Sequence, residues 1–241
     1  MKKKLALILA GTAMAAMVLA GCGEKNNASG EDVKTAESVE DKKTFTVGFD
    51  AEYPPYGYMD ENGEYTGFDL ELAEAVCKLE GWELVKKPLN WDSKDMELNS
   101  GSIDCIWNGF TMNGREDDYT FSTPYVDNSQ VIVVAEKSGI DTLEDLAGKT
   151  VGVQAASAAL DLLQSEEEGG QKKLADTFGA LNEFADYNTA FTELQAGALD
   201  ALAIDVGVAN YQIKSRGEGY KILDETLNTE QYAIGFKKGN Q

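Results

Sequence analysis

Histidine is absent from the 241 residues, and arginine occurs only twice, at Arg115 and Arg216, among 21 basic side chains. The first absence removes the commonest general base and the commonest metal ligand, and with them any Ser/His/Asp or Cys/His catalytic set. Basic residues are in short supply against 42 acidic ones, and the formal net charge is −21. A chain with no basic footprint is a poor partner for nucleic acid or an anionic membrane surface, because phosphate contacts need clustered Lys and Arg. Three cysteines, Cys22, Cys77 and Cys105, show no metal-ligand spacing. Cys77 and Cys105 sit in the apolar contexts "EAVCKL" and "IDCIW" and read as two buried thiols.

No apolar run reaches the roughly 20 residues that a bilayer span needs. The longest such run belongs to the opening stretch "MKKKLALILAGTAMAAMVLAGC", where three lysines precede mostly apolar residues from Leu5 to Ala20 and small residues lead to Cys22. No acidic residue precedes Glu24. That order, charge then apolar core then small residues, is a secretory signal peptide over residues 1–21. Its end, "LAGC", resembles the bacterial lipobox, in which the peptide is cut before the cysteine and that thiol is lipidated, here Cys22. A lipid there holds the mature protein at the outer face of the cytoplasmic membrane. Residues 22–43, polar and without an aromatic, read as a flexible tether. Export also makes a Cys77–Cys105 disulfide chemically possible.

The full sequence is 43% hydrophobic and long enough for one large or two medium domains. From Thr44 strand-like and helix-like pieces alternate. "TFTVGF" is a strand. "FDLELAEAVCKLEG" puts Leu70, Ala73, Val76 and Cys77 on one helical face and stops at Gly81. "WELVKKPL" and "IDCIW" are further strands around the helical "DSKDMELNSG", so a mostly parallel sheet with covering helices is expected. A second α/β unit begins at "VIVVAE". It continues through the helix "DTLEDLAG", with Asp141 and Glu144 spaced as a capping box, the strand "TVGV", and a helix–strand–helix series to "ANYQIK". The last apolar run, "QYAIGFKKGN", has no partner downstream and must pair backward. In open α/β sheets ligands sit beyond the carboxyl ends of strands, and a cleft between two units favours a small molecule.

The stretches "VGFDAEYPPYGYMDENGEYTGFDLELAEAVCK", "LNSGSIDCIWNGFTMNGRED", "YTFSTPYV", "LEDLAGKTVGVQAAS" and "LQAGALDALAIDVGVA" together resemble the extracytoplasmic solute-binding proteins of ABC importers, in the family that captures polar amino acids. They follow the family's order over nearly all of residues 44–237. The resemblance implies a type II periplasmic binding protein fold: two α/β lobes joined by a two-segment hinge, with the ligand in the interlobe cleft. It implies a first lobe of residues 44–127 plus 228–241 and a second of 128–227. The family continues past the strand ending near Lys238 with one or two further helices, so this sequence is expected to be a shortened reading of a longer protein.

By matched position, Arg115 is expected to clamp the ligand's α-carboxylate and Asp205 to take its α-ammonium. The segment Thr111 to Ser122 is one residue shorter than in many members, and Arg115 is the one arginine in it. A guanidinium offers a planar two-pronged donor that a lysine ammonium cannot. Asp205 also stands where it could cap the helix it opens, and Ser157 where it could cap "AALDLLQ". In the family, Ser157 and the amides around it, including that of Ala158, add donors to the carboxylate, while Gly109 and Thr111 contact the ligand from the first lobe. The side-chain pocket falls to Asp50, Tyr53, Trp91, Asn108 and Gln154. Tyr53 and Trp91 are aromatic walls in this reading and core residues in the other. A carboxylate at Asp50 favours ligands that donate there, a basic amino acid or glutamine, over glutamate or aspartate.

The resemblance further implies a free L-amino acid as ligand, ABC permease subunits as partners, the membrane reached through lipid on Cys22, a monomer, and neither cofactor nor metal. Two other functions share the fold. One is an extracytoplasmic amino-acid sensor; the other, a dehydratase, lacks any recognisable catalytic set here.

Overall fold

The computed structural model describes residues 43–217 and 219–240. The leader, Cys22 and all of the tether before Lys43 lie outside these residues.

The first sheet runs β5-β1-β6-β14-β7, where β7 is Tyr119–Phe121 and β14 is Gly235–Lys237. β1 (Thr44–Phe49), β5 (Glu83–Pro88) and β6 (Cys105–Ile106) are its parallel members. Three short strands between β1 and β5 form a separate small sheet: β2 (Glu52–Tyr53), β3 (Gly57–Met59) and β4 (Tyr65–Thr66). Helix α1 (Phe68–Glu80) follows and ends at Gly81, whose φ of 71° supplies the left-handed cap anticipated from sequence. Leu70, Ala73 and Cys77 are buried on its inner face, but Val76 is 37% exposed. At 100° per residue Val76 lies beside that stripe and not within it. A short 3₁₀ turn over Trp91–Ser93 leads into α2 (Lys94–Ser100), and β7 (Tyr119–Phe121) closes the lobe.

The second sheet runs β10-β9-β11-β8-β12, with β13 also paired to β8. Its strands are β8 (Val126–Ala135), β9 (Thr150–Gln154), β10 (Ala180–Phe184), β11 (Ala201–Asp205), β12 (Tyr220–Ile222) and β13 (Asn228–Tyr232). The helices α3 (Ala158–Gln164), α4 (Lys172–Ala175), α5 (Tyr187–Ala196) and α6 (Val206–Arg216) cover it. One apolar cluster packs Val131, Val133, Leu202 and Ile204 against α5 and α6; the other packs Ile132, Val134, Val151 and Val153 against α3. The chain thus forms two α/β lobes, each with its own core.

Both sheets are mostly parallel in strand direction, as expected, and in each a single strand runs against the others: β14 in the first and β8 in the second. The cause is the crossing. β8 enters the second sheet from the first, and β14 (Gly235–Lys237) re-enters the first after β13, pairing antiparallel with both β6 and β7. A chain arriving from the other lobe enters beside the carboxyl ends of the parallel strands and must run against them. The final strand therefore pairs backward, as the sequence requires. β8 and β13 are themselves an antiparallel pair, with Asn228 opposite Gln130 and Tyr232 opposite Val126.

The helix expected at "DTLEDLAG" is only a 3₁₀ turn, Glu144–Leu146. The capping box is replaced by Asp145, whose Oδ2 accepts from the amides of Asp141 and Thr142 and from the Thr142 hydroxyl, all at 3.0 Å. Cys77 and Cys105 are both buried free thiols. Among the described residues no helix is long and apolar enough to cross a membrane.

Candidate functional site

Parallel strands of both lobes point their carboxyl ends at one another. β1 delivers Asp50 and Tyr53, β5 delivers Trp91, and β6 delivers the turn from Asn108 to Arg115; across the cleft, β9 delivers Gln154, Ser157 and Ala158, and β11 ends on Asp205. One cavity is lined by Asp50, Tyr53, Trp91, Asn108, Gly109, Thr111 and Arg115 from the first lobe and by Gln154, Ser157, Ala158 and Asp205 from the second. The structure therefore brings together every residue singled out from sequence inside the body.

At one end lies Asp50, 6% exposed. Its Oδ1 accepts from the Glu52 amide at 2.8 Å and its Oδ2 from Gln154 Nε2 of the other lobe at 2.7 Å. Burial pushes its pKa up to about 6, against the pull of those two hydrogen bonds, and the charges of Asp186 and Glu52 push the same way. Gln154 Nε2 also donates to the Ala185 carbonyl at 3.1 Å. The Asp50 amide donates to Asn108 Oδ1, and Asn108 Nδ2 is buried with no protein partner among the described residues. Trp91 stands edge-on to Phe110, ring centroids 5.7 Å apart.

At the other end lies Asp205, 3% exposed. It occupies the cap position of α6, yet its side chain makes no capping bond. Oδ1 instead accepts from Tyr232 OH at 2.6 Å, Gln130 Nε2 at 2.7 Å and Asn128 Nδ2 at 2.8 Å. Burial raises its pKa to about 6, with the charge of Glu230 as the next cause. The Tyr53 hydroxyl is 3.4 Å from that of Tyr232, so Tyr53 turns its polar tip toward the Asp205 end. Its ring packs near Tyr56 and Tyr187, with centroids 5.9 and 6.0 Å away.

Between these ends, Arg115 rests its guanidinium 5.0 Å from the Phe110 ring and gives Nη2 to Asp161 of α3 at 2.7 Å. Its side chain is 12% exposed. Ser157 does cap α3, its Oγ accepting from the Leu160 amide at 3.1 Å, which leaves the hydroxyl proton for another acceptor. Gly109 has φ of 56°, and a Cβ there would stand 3.0 Å from the Tyr232 and Tyr53 rings. A side chain at that position would be strained and would press into the cleft wall. The Gly109 amide is bound by buried Asp69 Oδ2 at 2.5 Å.

Several residues at this site escape sequence reasoning. Asn128 and Gln130 on β8, and Glu230 and Tyr232 on β13, are all buried beside Asp205. Their spacing by two puts each pair on one face of a strand, a signal that polar residues in an otherwise apolar context could have given. Lys94 is 5% exposed; its Nζ donates to the Ala156 carbonyl of the second lobe at 3.3 Å and stands 5.2 Å over the Trp91 ring. Burial first, and the Arg115 charge as well, lower its pKa.

Residues 45–241 match the model of the bacterial extracellular solute-binding proteins, family 3. The arginine-binding extracellular protein ArtP of Bacillus subtilis (strain 168) is 33% identical over 245 residues, covering 100% of this chain and 88% of that protein. A substrate-binding protein of an ABC uptake transporter from Streptococcus pneumoniae, solved with bound histidine, superposes with a TM-score of 0.75 at 35% identity over 81% of this chain and 80% of that one. An ancestral arginine-binding protein bound to glutamine superposes with a TM-score of 0.72 at 39% identity, over 83% and 86% of the two chains.

Proposed function

Because the chain belongs to the bacterial extracellular solute-binding proteins of family 3, we propose that it captures a free polar L-amino acid in the interlobe cleft, without chemical change, and delivers it to an ABC permease. The observation that carries this reading is the pairing of opposite charges in one small cavity: Arg115 for a carboxylate and Asp205 for an ammonium. A zwitterion needs both. Arg115 supplies a forked donor, reinforced by the Ser157 hydroxyl and the Ala158 amide, and Asp205 supplies the counter-charge.

Asp50 then selects the side chain. A buried acceptor with Gln154 and Asn108 beside it disfavours a ligand carboxylate and favours a guanidinium, an ammonium or an amide. A basic amino acid or glutamine is the ligand in this reading. The protein similar to it from Bacillus subtilis is named for arginine, and two similar solved structures hold histidine and glutamine.

The test is a thermal-shift panel of the twenty L-amino acids. A ligand that binds the folded chain alone raises the melting temperature with concentration. The proposal requires a shift with arginine, lysine, histidine or glutamine and none with glutamate or aspartate; a flat panel rejects it.

The leader supports a further part of the proposal: lipid on Cys22 tethers a monomer to the outer face of the cytoplasmic membrane. Cys22→Ala should move the protein from the membrane fraction to the medium. Retention in the membrane fraction rejects the anchor.

A further inference from the structure

Two buried carboxylates, not one, stand at the Asp205 end. Glu230 on β13 is 4% exposed, and its Oε1 accepts from Asn128 Nδ2 and Gln130 Nε2, both at 2.8 Å. These are the same two amide nitrogens that donate to Asp205 Oδ1. Each NH₂ group spends one hydrogen on each carboxylate, so both amides are exhausted. A third donor to Glu230 Oε1 comes from the first lobe: the Thr111 hydroxyl, at 2.7 Å. Thr111 is in the cavity wall. With its proton committed to Glu230, its oxygen can only accept hydrogen bonds from the cavity side.

Charge makes the arrangement unusual. No Lys or Arg forms an ion pair with Asp205 or Glu230 among the described residues. The groups that face Asp205 are the hydroxyls of Tyr53, Tyr56, Tyr187 and Tyr232 and the carboxylate of Glu230. Two negative groups in a buried pocket with neutral donors only are costly to keep ionised. A cation placed between the cleft and this pair relieves that cost.

We propose that Glu230 is a positioning residue for the α-ammonium of the ligand: it supplies the second negative charge of that subsite and fixes the Thr111 hydroxyl as an acceptor. This rests on the amino-acid reading above and deepens it. The ammonium meets Asp205 directly and Thr111 Oγ1 beside it, while Glu230 acts through Thr111, Asn128 and Gln130. Asn128, Gln130 and Glu230 stand on the two crossing strands, and Thr111 is already held to them by its bridge to Tyr232, so the subsite is built in advance of the ligand. The uncompensated pair selects against a ligand that lacks the amine.

The experiment is calorimetry on the full chain with Glu230→Gln, which keeps the shape and removes the charge. Each of the twenty L-amino acids that binds the wild type is titrated into the variant, with its des-amino analogue alongside. The expected result is a Kd raised on the order of tenfold or more, the scale of one charge-assisted hydrogen bond. The ligand-free melting temperature should be unchanged or higher, since a like-charge repulsion is gone, and the preference for the amino acid over its des-amino analogue should shrink. A Kd within twofold of wild type overturns the role of Glu230 while leaving the amino-acid reading intact. A wild type that binds no amino acid overturns that reading and this one with it. Should the variant not fold, Thr111→Val decides: it removes the acceptor that Glu230 fixes, so a Kd raised on the order of tenfold is expected, and a Kd within twofold of wild type overturns the proposal.

Discussion

Arg115 of the first lobe donates from Nη2 to Asp161 Oδ2 on α3 of the second, at 2.7 Å. Asp161 is largely exposed and Arg115 is not. The pair therefore closes the mouth of the cleft from its solvent side and holds the guanidinium in place, leaving its remaining N–H groups for a carboxylate. An ion pair with one exposed partner contributes roughly 0–1 kcal/mol by itself. Its value lies in orientation.

Arg115→Lys retains the charge and loses the fork. Affinity for any amino acid the wild type binds should fall by about 1.5–3 kcal/mol, the range for hydrogen bonds to charged groups. Asp161→Asn should cost no more than about 1 kcal/mol. Calorimetry showing the reverse order would mean that the carboxylate is held elsewhere.

Asp50→Asn separates ligand classes. The substitution removes the negative charge and keeps an acceptor, so a cationic ligand should lose at least about tenfold in affinity and a neutral one much less. Equal losses for arginine and glutamine, measured side by side, would show that Asp50 does not read the side chain.

Gly207 on α6 lies against Tyr56 of the first lobe. A Cβ at Gly207 would stand 2.4 Å from the Tyr56 hydroxyl oxygen and 3.0 Å from its Cζ. Gly207→Ala should therefore hold the lobes apart and weaken ligand binding several-fold without lowering the melting temperature of the ligand-free chain. Tyr56→Phe removes the nearest atom and should restore part of the affinity in the double variant. No recovery there would place the fault within α6.

Acid should stabilise the ligand-free protein and weaken its complex. Asp50 and Asp205 are raised from 3.8 to about 6, and Asp69 to about 7, in each case by burial first. A folded-state pKa above the unfolded one means that the folded chain binds protons more tightly. The stabilisation is complete below about pH 4 and is lost as pH rises through 6 to 7. Asp60 and Asp145 are shifted downward, so their contribution changes only below pH 4 and does not enter this window. The melting temperature should be higher at pH 5.5 than at 7.5 by about 3 °C or more. Ligand affinity should move the other way, because protonated Asp50 and Asp205 no longer attract a cation. A melting temperature that falls toward pH 5.5 contradicts the burial of these carboxylates.

Much of this site could be read in the sequence because the family resemblance assigned its residues by matched position, and the ends of the strands agree with it. Asp50, Arg115, Ser157 and Asp205 each stand just past an apolar run, and in α/β folds those positions converge. The rest depends on pairing that no local pattern encodes. Glu230 joins Asp205 only because β13 pairs with β8 in a register that sets Asn228 against Gln130, a contact between segments about a hundred residues apart. Asp205 was legible as an N-cap and as a ligand group, and the tertiary donors of β8 and β13 decide against the cap. Lys94 looks like any solvated lysine in "DSKDMEL", and its place over Trp91 and against the Ala156 carbonyl of the second lobe is visible only in the fold. The expected helix near Asp141 shortens to a turn because Asp145 takes the amides that a capping box would leave for Glu144.

The central claim is that one cleft holds both charged ends of an α-amino acid. It is tested most directly by titrating the wild type with an amino acid that shifts its melting temperature, then with the same compound as its Nα-acetyl derivative and as its α-carboxamide. Acetylation removes the ammonium that Asp205 takes, and the carboxamide removes the charge that Arg115 takes. Each derivative should bind at least about a hundredfold more weakly than the free amino acid, the scale of losing a charged group whose buried partner is left uncompensated. Binding of either derivative with the affinity of the free amino acid would contradict the account.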